Sequence, residues 1–387
     1  MCHHNAPRSK RRTELWIFAL LLILGFTVPA FADGPADCLV DDLRIDQFKG
    51  VIHDLAAYGT RYWLRPKNAL AEQDIYDRLA SYGYTNVTFD EFVYDDVVKH
   101  NVYATRVGAS NPNEMYIVGA HLDSYNAHGN YGQCPGADDD ASGVAAVLEA
   151  ARVFAHARTD LSVRFVIWNV EELGLVGSES YVSRRRALQG APEEPAWLGM
   201  IQLDMILFDH GPGPIPDADV EYQALHDHNG DAIVLAEHVA GAMSRYGTMP
   251  AAVGDDMRNT DSVPFQNHTA AISIRENRRI GEIGDGSNPH WHEPTDLYET
   301  FSDADYEFGF NIVKMLVGAL GELVGATPLG DLDRDGDVEG DDLTALLTSY
   351  GRAAGEPGFN AAADLNDDGV VNLPDLAELL GNYGCGG

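Results

Sequence analysis

Basic residues are scarce: 26 Lys and Arg stand against 60 Asp and Glu, a formal charge of −34 over 387 residues. Phosphate contacts need a basic face, which excludes nucleic acid as a partner. The acidic balance reads as a soluble, self-repelling surface. Cysteine is sparse too, and four residues are too few for a disulfide framework. A membrane span needs about 20 apolar residues. The run at residues 15–26 has 12, and no later segment is long and apolar enough. What is present excludes a disordered chain, because 45% hydrophobic content allows a large core. The length allows about two or three domains.

The short apolar run has a particular setting. Arg8, Lys10, Arg11 and Arg12 precede it, and Ala30-Phe31-Ala32 follows it. A basic start, an apolar middle and a small-x-small end read as a signal peptide over residues 1–32. The expected location is secreted, periplasmic or at the cell surface. Cys2 departs with that segment, leaving Cys38, Cys134 and Cys385. An odd number cannot all pair, and no bridge is assigned.

From about residue 40 to 325 two periodicities alternate. Residues 115–120, 163–170, 198–205 and 271–274 are short apolar runs that read as buried strands. Between them, Val144, Val147, Leu148, Ala151 and Phe154 fall on one helical face within residues 141–157. Residues 306–323 read as another helix. Strands alternating with helices predict an α/β fold, a mixed, largely parallel central sheet flanked by helices. The expected domains are residues 33–326 and a smaller helical calcium-loop module at 327–387.

The acidic and histidine residues fall at the strand ends. His121 and Asp123 follow one run, Glu171 and Glu172 follow the next, and Asp204 closes the third. In a parallel sheet these are all carboxyl ends, where open α/β folds place their sites. Asp138, Asp139 and Asp140 lie in the loop entering the helix at Ala141, and Asp140 suits its N-cap. Two like charges about 4 Å apart repel by roughly 4 kcal/mol at an effective dielectric of 20. Such a cluster needs a cation, and His with carboxylates and no clustered Cys suits Zn²⁺.

Together, His121-Leu-Asp123, Gly136-Ala-Asp-Asp139-Asp-Ala-Ser-Gly143, Glu171-Glu172-Leu-Gly, Gln202-Leu-Asp204-Met and His292-Glu-Pro-Thr-Asp296 resemble the motifs of the co-catalytic di-zinc aminopeptidases. That family also contains glutamate carboxypeptidase, transferrin receptor and glutaminyl cyclase. The resemblance covers about residues 40–325, and Gly59-Thr60-Arg61 and Asn101-Val102 look like its lead-in segments. It implies two Zn²⁺ per chain, with Asp139 bridging, His121 and Asp204 completing one site, and Glu172 and His292 the other. His292 is preferred to His290 on the family's spacing. The resemblance makes Glu171 the general base and Asp123 the residue that orients His121. It also implies a peptide substrate with a free N-terminus. Some members carry a tyrosine that helps hold the oxyanion. Here the corresponding residues, Met257-Arg258-Asn259-Thr260-Asp261, contain none, leaving zinc or Arg258 for that role.

After residue 330 the composition changes: residues 331–387 hold 13 Asp and Glu and two Arg. Asp331, Asp333, Asp335, Gly336, Asp337, Glu339 and Asp342 match positions 1, 3, 5, 6, 7, 9 and 12 of a calcium loop. Asp364, Asn366, Asp368, Gly369, Val370, Asn372 and Asp375 match them again 33 residues later. Each copy runs into a short helix signal, at residues 342–351 and 375–384. The pattern resembles a dockerin repeat, which implies about two Ca²⁺ per chain and a cohesin-like protein partner.

The leading expectation is thus a secreted zinc aminopeptidase with a calcium-binding module. Glutaminyl cyclisation on the same fold, with one zinc, is the second. A non-catalytic, receptor-like binding protein is the third, and it expects lost ligands.

Overall fold

The computed structural model describes residues 36–385 except 192, 209–215, 256, 277–287 and 367. All described residues fall within one compact unit, Asp33–Gly387; the expected signal peptide lies outside them. No described helix is long and apolar enough to cross a membrane.

Eight strands form the central sheet: β1 (Thr88–Tyr94), β2 (Val97–Arg106), β3 (Asn111–His121), β5 (Leu161–Trp168), β6 (Ala196–Leu203), β7 (Ala218–Tyr222), β8 (Ala251–Gly254) and β9 (Ala270–Arg275). A two-residue strand, β4 (Ala157–Arg158), stands apart from it. The sheet order is β1-β2-β5-β3-β6-β9-β7-β8. The four central strands, β5, β3, β6 and β9, are mutually parallel, with register pairs such as Val118↔Phe165 and Val118↔Ile201. The edges depart from this: β2 runs antiparallel to β5, and β7 antiparallel to β9.

All four apolar runs singled out in the sequence are central strands. Both faces of these strands are covered, so their apolar residues run nearly without interruption. In β3, Val118 and Ala120 join the main core, while Met115 and Ile117 join a second one with Trp168, Tyr181, Trp197 and Phe265. The edge strands gave weaker signals. Strand β1 has only two buried residues, Asp90 and Phe92, and β8 has none.

The helices α1 (Asp37–Asp41), α2 (Ile45–Ala56), α3 (Pro66–Ser81), α4 (Ala141–Phe154), α5 (Val176–Arg185), α6 (Asn229–Tyr246) and α7 (Asp303–Val324) surround the sheet. Helix α4 is buried along almost its whole length, and Asp140 caps it by accepting from Gly143 N at 2.9 Å. The cap fixes where the acidic loop ends and the helix starts. Helix α7 begins on a Ser302–Asp305 capping box and ends at Gly325, whose φ of 60° suits a residue without a Cβ.

Beyond α7, Thr327–Pro328 (β10) pairs with β4. Helices α8 (Gly340–Ser349) and α9 (Leu373–Gly381) follow and share a small core of Val338, Leu346, Ala363, Val371 and Leu379. A disulfide joins Cys38 of α1 to Cys385, with Cα atoms 5.5 Å apart, and Cys134 is buried and free. The sequence left that pairing unassigned, since it depends on where the chain's two ends meet.

Candidate metal centre

His121 is the last residue of β3, and Asp204 follows β6 directly. Glu171 stands two residues further beyond its strand than expected, because β5 stops at Trp168. Asn169 turns the chain there: its N–H donates to Asn101 Oδ1 at 3.1 Å, and its own Oδ1 accepts from Val170 N at 3.0 Å. Val170, Met205 and His292 have φ of 61°, 57° and 57°. Left-handed backbone at such residues costs roughly 1–3 kcal/mol each and persists only where surrounding structure over-determines it. Here Val170 adjoins Glu171, Met205 adjoins the candidate ligand Asp204, and His292 is itself a candidate ligand.

The side chains converge as two overlapping groups. His121, Asp139 and Asp204 place one donor atom each within 4.8 Å of one another, and so do Asp139, Glu172 and His292. Asp139 is common to both. Its Oδ1 lies 3.2 Å from His121 Nε2 and its Oδ2 lies 3.2 Å from His292 Nε2. His292 Nε2 is also 2.8 Å from Glu172 Oε2, and His121 Nε2 is 3.8 Å from Asp204 Oδ1. His290 stands apart, with Nδ1 against Thr295 Oγ1 at 2.9 Å.

Asp123 sits beside His121, but its carboxylate is 3.8 Å from Nδ1. The nearer acceptor is Asp123's own main-chain oxygen, at 3.0 Å. The carboxylate instead accepts the N–H groups of Glu171 and Glu172, at 2.9 and 3.2 Å. Asp123 therefore pins the turn that carries both glutamates, a role the family resemblance did not give it.

The sequence assigned no role to several other supports. Asp296 accepts the N–H groups of Asp138 and Asp139, at 2.8 and 3.0 Å. Asp138 does not join either donor group; it accepts from Ile206 N, Leu207 N and Asn288 Nδ2. The buried Arg61 guanidinium donates to the carbonyls of Leu122, Pro135 and Gly136, tying together the loops that hold His121 and Asp139. Gly59-Thr60-Arg61 was the only trace of it in the sequence. Arg275 Nη2 lies 3.2 Å from Asp204 Oδ2 and had no sequence signal.

The electrostatics are those of a cluster awaiting positive charge. Burial alone would lower the His121 imidazole, yet Glu171, Asp139, Asp140 and Asp204 raise it well above its ordinary range. Against its own burial, His292 is raised to about 10 by Asp139 and Glu172. Burial and the charge of Asp139 push Glu172 up to about 7. Burial also raises Glu171 well above a free glutamate, with Asp261 and Glu172 adding to the effect. Asp139 is held far below the usual range, despite burial, by the two histidines. Glu172 Oε1 is buried without a hydrogen-bond partner among the described residues. Imidazole and carboxylate donors, a shared carboxylate and an orphaned carboxylate oxygen together fit a pair of divalent cations with zinc's donor preference.

A cleft of about 370 Å³ opens onto the cluster, lined by both donor groups and Glu171. Trp291 stacks on His292 with ring centroids 4.3 Å apart, and Tyr125 meets it edge-on at 5.0 Å. These rings limit how far the imidazole can swing.

Known proteins are similar to this chain. A probable zinc metalloprotease of Pyrenophora teres f. teres is 30% identical over 227 residues, covering 53% of this chain and 47% of that protein. An aminopeptidase of Pseudomonas aeruginosa is 44% identical over 109 residues, 28% of this chain and 18% of its own. The chain thus spans about half the length, or less, of these relatives. The crystal structure of LapB from Legionella pneumophila superposes with a TM-score of 0.62 at 21% identity, covering 75% of this chain and 74% of that one. The profile of Peptidase family M28 matches residues 101–315, the stretch that holds β3, β5, β6, β9 and every candidate zinc ligand, and the chain belongs to that family.

Proposed function

We propose that the chain is a secreted aminopeptidase that uses two zinc ions and Glu171 to remove N-terminal residues from peptides. One observation carries this reading: Asp139 belongs to both donor groups, and Glu171 lines the same cleft while belonging to neither. Bound there, the two ions supply Lewis-acid polarisation of the scissile carbonyl and an acidified water. His121, Asp204, Glu172, His292 and the shared Asp139 are the residues to hold them. Glu171 accepts the water's proton on its carboxylate and returns it to the leaving amine. Asp123 holds Glu171 in place through the main-chain N–H.

The cyclase alternative needs one zinc and no attacking water, and the receptor-like alternative needs no complete donor set. The test is metal content by plasma emission together with a free-amine assay on peptides with open and blocked amino ends. Two zinc per chain and release of amino acids from unblocked peptides alone are expected. One zinc with pyroglutamate from an N-terminal glutamine peptide would replace this reading by the cyclase.

Secretion is supported by the signal-like residues 1–32 and by the Cys38–Cys385 bridge, since disulfides persist in oxidising compartments. Calcium binding by residues 331–342 and 364–375 is supported by their repeated geometry. Asp342 Oδ1 accepts from Leu332 N and Asp333 N, and Asp375 Oδ1 accepts from Leu365 N and Asn366 N. Gly336 and Gly369 have φ of 104° and 86°, where a side chain would be strained. Carboxylate oxygens of Asp331, Asp333 and Asp342 lie within 4.8 Å of one another. Equilibrium dialysis of the whole protein should find about two Ca²⁺, with Asp342→Asn and Asp375→Asn each losing one. Absence of bound calcium in the wild type would end this part of the proposal. A cohesin-like partner rests on the sequence resemblance alone.

A further inference from the structure

We propose that the cleft takes a substrate carrying a carboxylate close to the scissile bond, recognised by Arg275 together with Arg258 and Asn259. This rests on the aminopeptidase reading and narrows its substrate class. Acidic residues outnumber basic ones 60 to 26 in this chain, so cations in a cleft call for a reason. With the metal-holding side chains and Glu171 set aside, the remaining lining is Gly174, Leu175, Arg258, Asn259, Arg275 and Trp291. Among the described residues, two of these six are guanidinium groups and none is a carboxylate.

Arg275 is the informative member. It ends β9, a strand whose other residues are Ala270, Ala271, Ile272, Ser273 and Ile274, and it is only 5% exposed. A buried guanidinium is costly unless its donors are met. Nη2 is met by Asp204 Oδ2, but Nη1 has no hydrogen-bond partner among the described residues. A guanidinium fork matches a carboxylate in shape as well as charge, which an amide or hydroxyl does not. The carboxylate has two possible sources: the side chain of an N-terminal Asp or Glu, or the free C-terminus of a dipeptide.

Matched substrates separate these sources. With zinc-loaded full-length protein, kcat/KM is compared for peptides beginning with Glu and Gln, equal in shape and different in charge, and for Leu-Ala and Leu-Ala amide. In at least one pair the charged member should be favoured about tenfold or more, the size of a charge-assisted hydrogen bond. Preference in the first pair identifies the side chain; preference in the second identifies the terminus. Arg275→Gln should bring the favoured ratio close to one, and Arg275→Lys should restore part of it. A ratio between two substrates does not depend on how much of the variant is folded or loaded, so simple loss of zinc cannot imitate this result. Equilibrium dialysis gives a readout without turnover: L-glutamate should bind at least tenfold tighter than glutaminamide, and equally weakly to Arg275→Gln. Ratios near one in the wild type, or a preference that survives Arg275→Gln, would overturn the proposal. No hydrolysis of any peptide would instead overturn the aminopeptidase reading, and the dialysis would then decide the carboxylate site by itself.

Discussion

Glu171→Gln is expected to keep both zinc ions and lose about 10²–10⁴-fold in kcat, the usual contribution of a positioned general base. Glutamine preserves the size and much of the hydrogen bonding of glutamate but cannot take up a proton. Glu171 lies outside both donor groups, so its replacement removes no metal donor. Its main-chain N–H, held by Asp123, is unchanged by the substitution. The acidic limb of the rate–pH profile, where this carboxylate becomes protonated, should flatten in the variant. Plasma emission and kcat measured on the same preparation make the test. A variant that loses zinc in proportion to its activity would show Glu171 to be a ligand and not the base.

Asp139→Asn should do the reverse and strip the metal. Asp139 is the one side chain that both donor groups share, so losing its charge weakens both sites at once. An uncharged amide leaves His121 with Asp204, and Glu172 with His292, as two-residue sets, fewer than the three protein ligands that catalytic zinc ordinarily keeps. Zinc content should fall from two to below one per chain at micromolar metal, with activity down by about 10³-fold or more. The rise in Tm on adding zinc to chelator-treated protein should also vanish, because a cation stabilises the fold only through the sites it occupies. Glu172→Gln touches a single donor group and should cost one ion, not two. Equal losses in these two variants would contradict a bridging Asp139.

His121, Glu172 and Asp204 were legible because their positions follow a rule that a sequence displays, whereas Asp139 and His292 came from the family's motif spacing. Apolar runs such as residues 115–120 mark buried strands, and a His or carboxylate just past such a run marks the end where parallel sheets place their sites. The Asp140 cap was legible for the same local reason, lying next to the residues it serves. Asp123 shows the limit. The resemblance gave it His121 as partner, and the fold in addition gives its carboxylate to a turn 48 residues away.

Sequence by itself determined the central strands, the residue types gathered at their ends, the likeness to zinc peptidases and the repeat near residues 331–375. Each of these is a pattern written within a few tens of residues, set by strand and helix periodicity or by ligand spacing. Tertiary structure alone decided the rest: that Arg61 ties loops 61 and 75 residues away, that Asp296 holds the Asp138 and Asp139 main chain, and that Arg275 stands beside Asp204. It also decided that Cys38 meets Cys385 across 347 residues. Such contacts leave no local trace, because a hydrogen bond or ion pair depends on where two segments arrive in space and not on how many residues separate them.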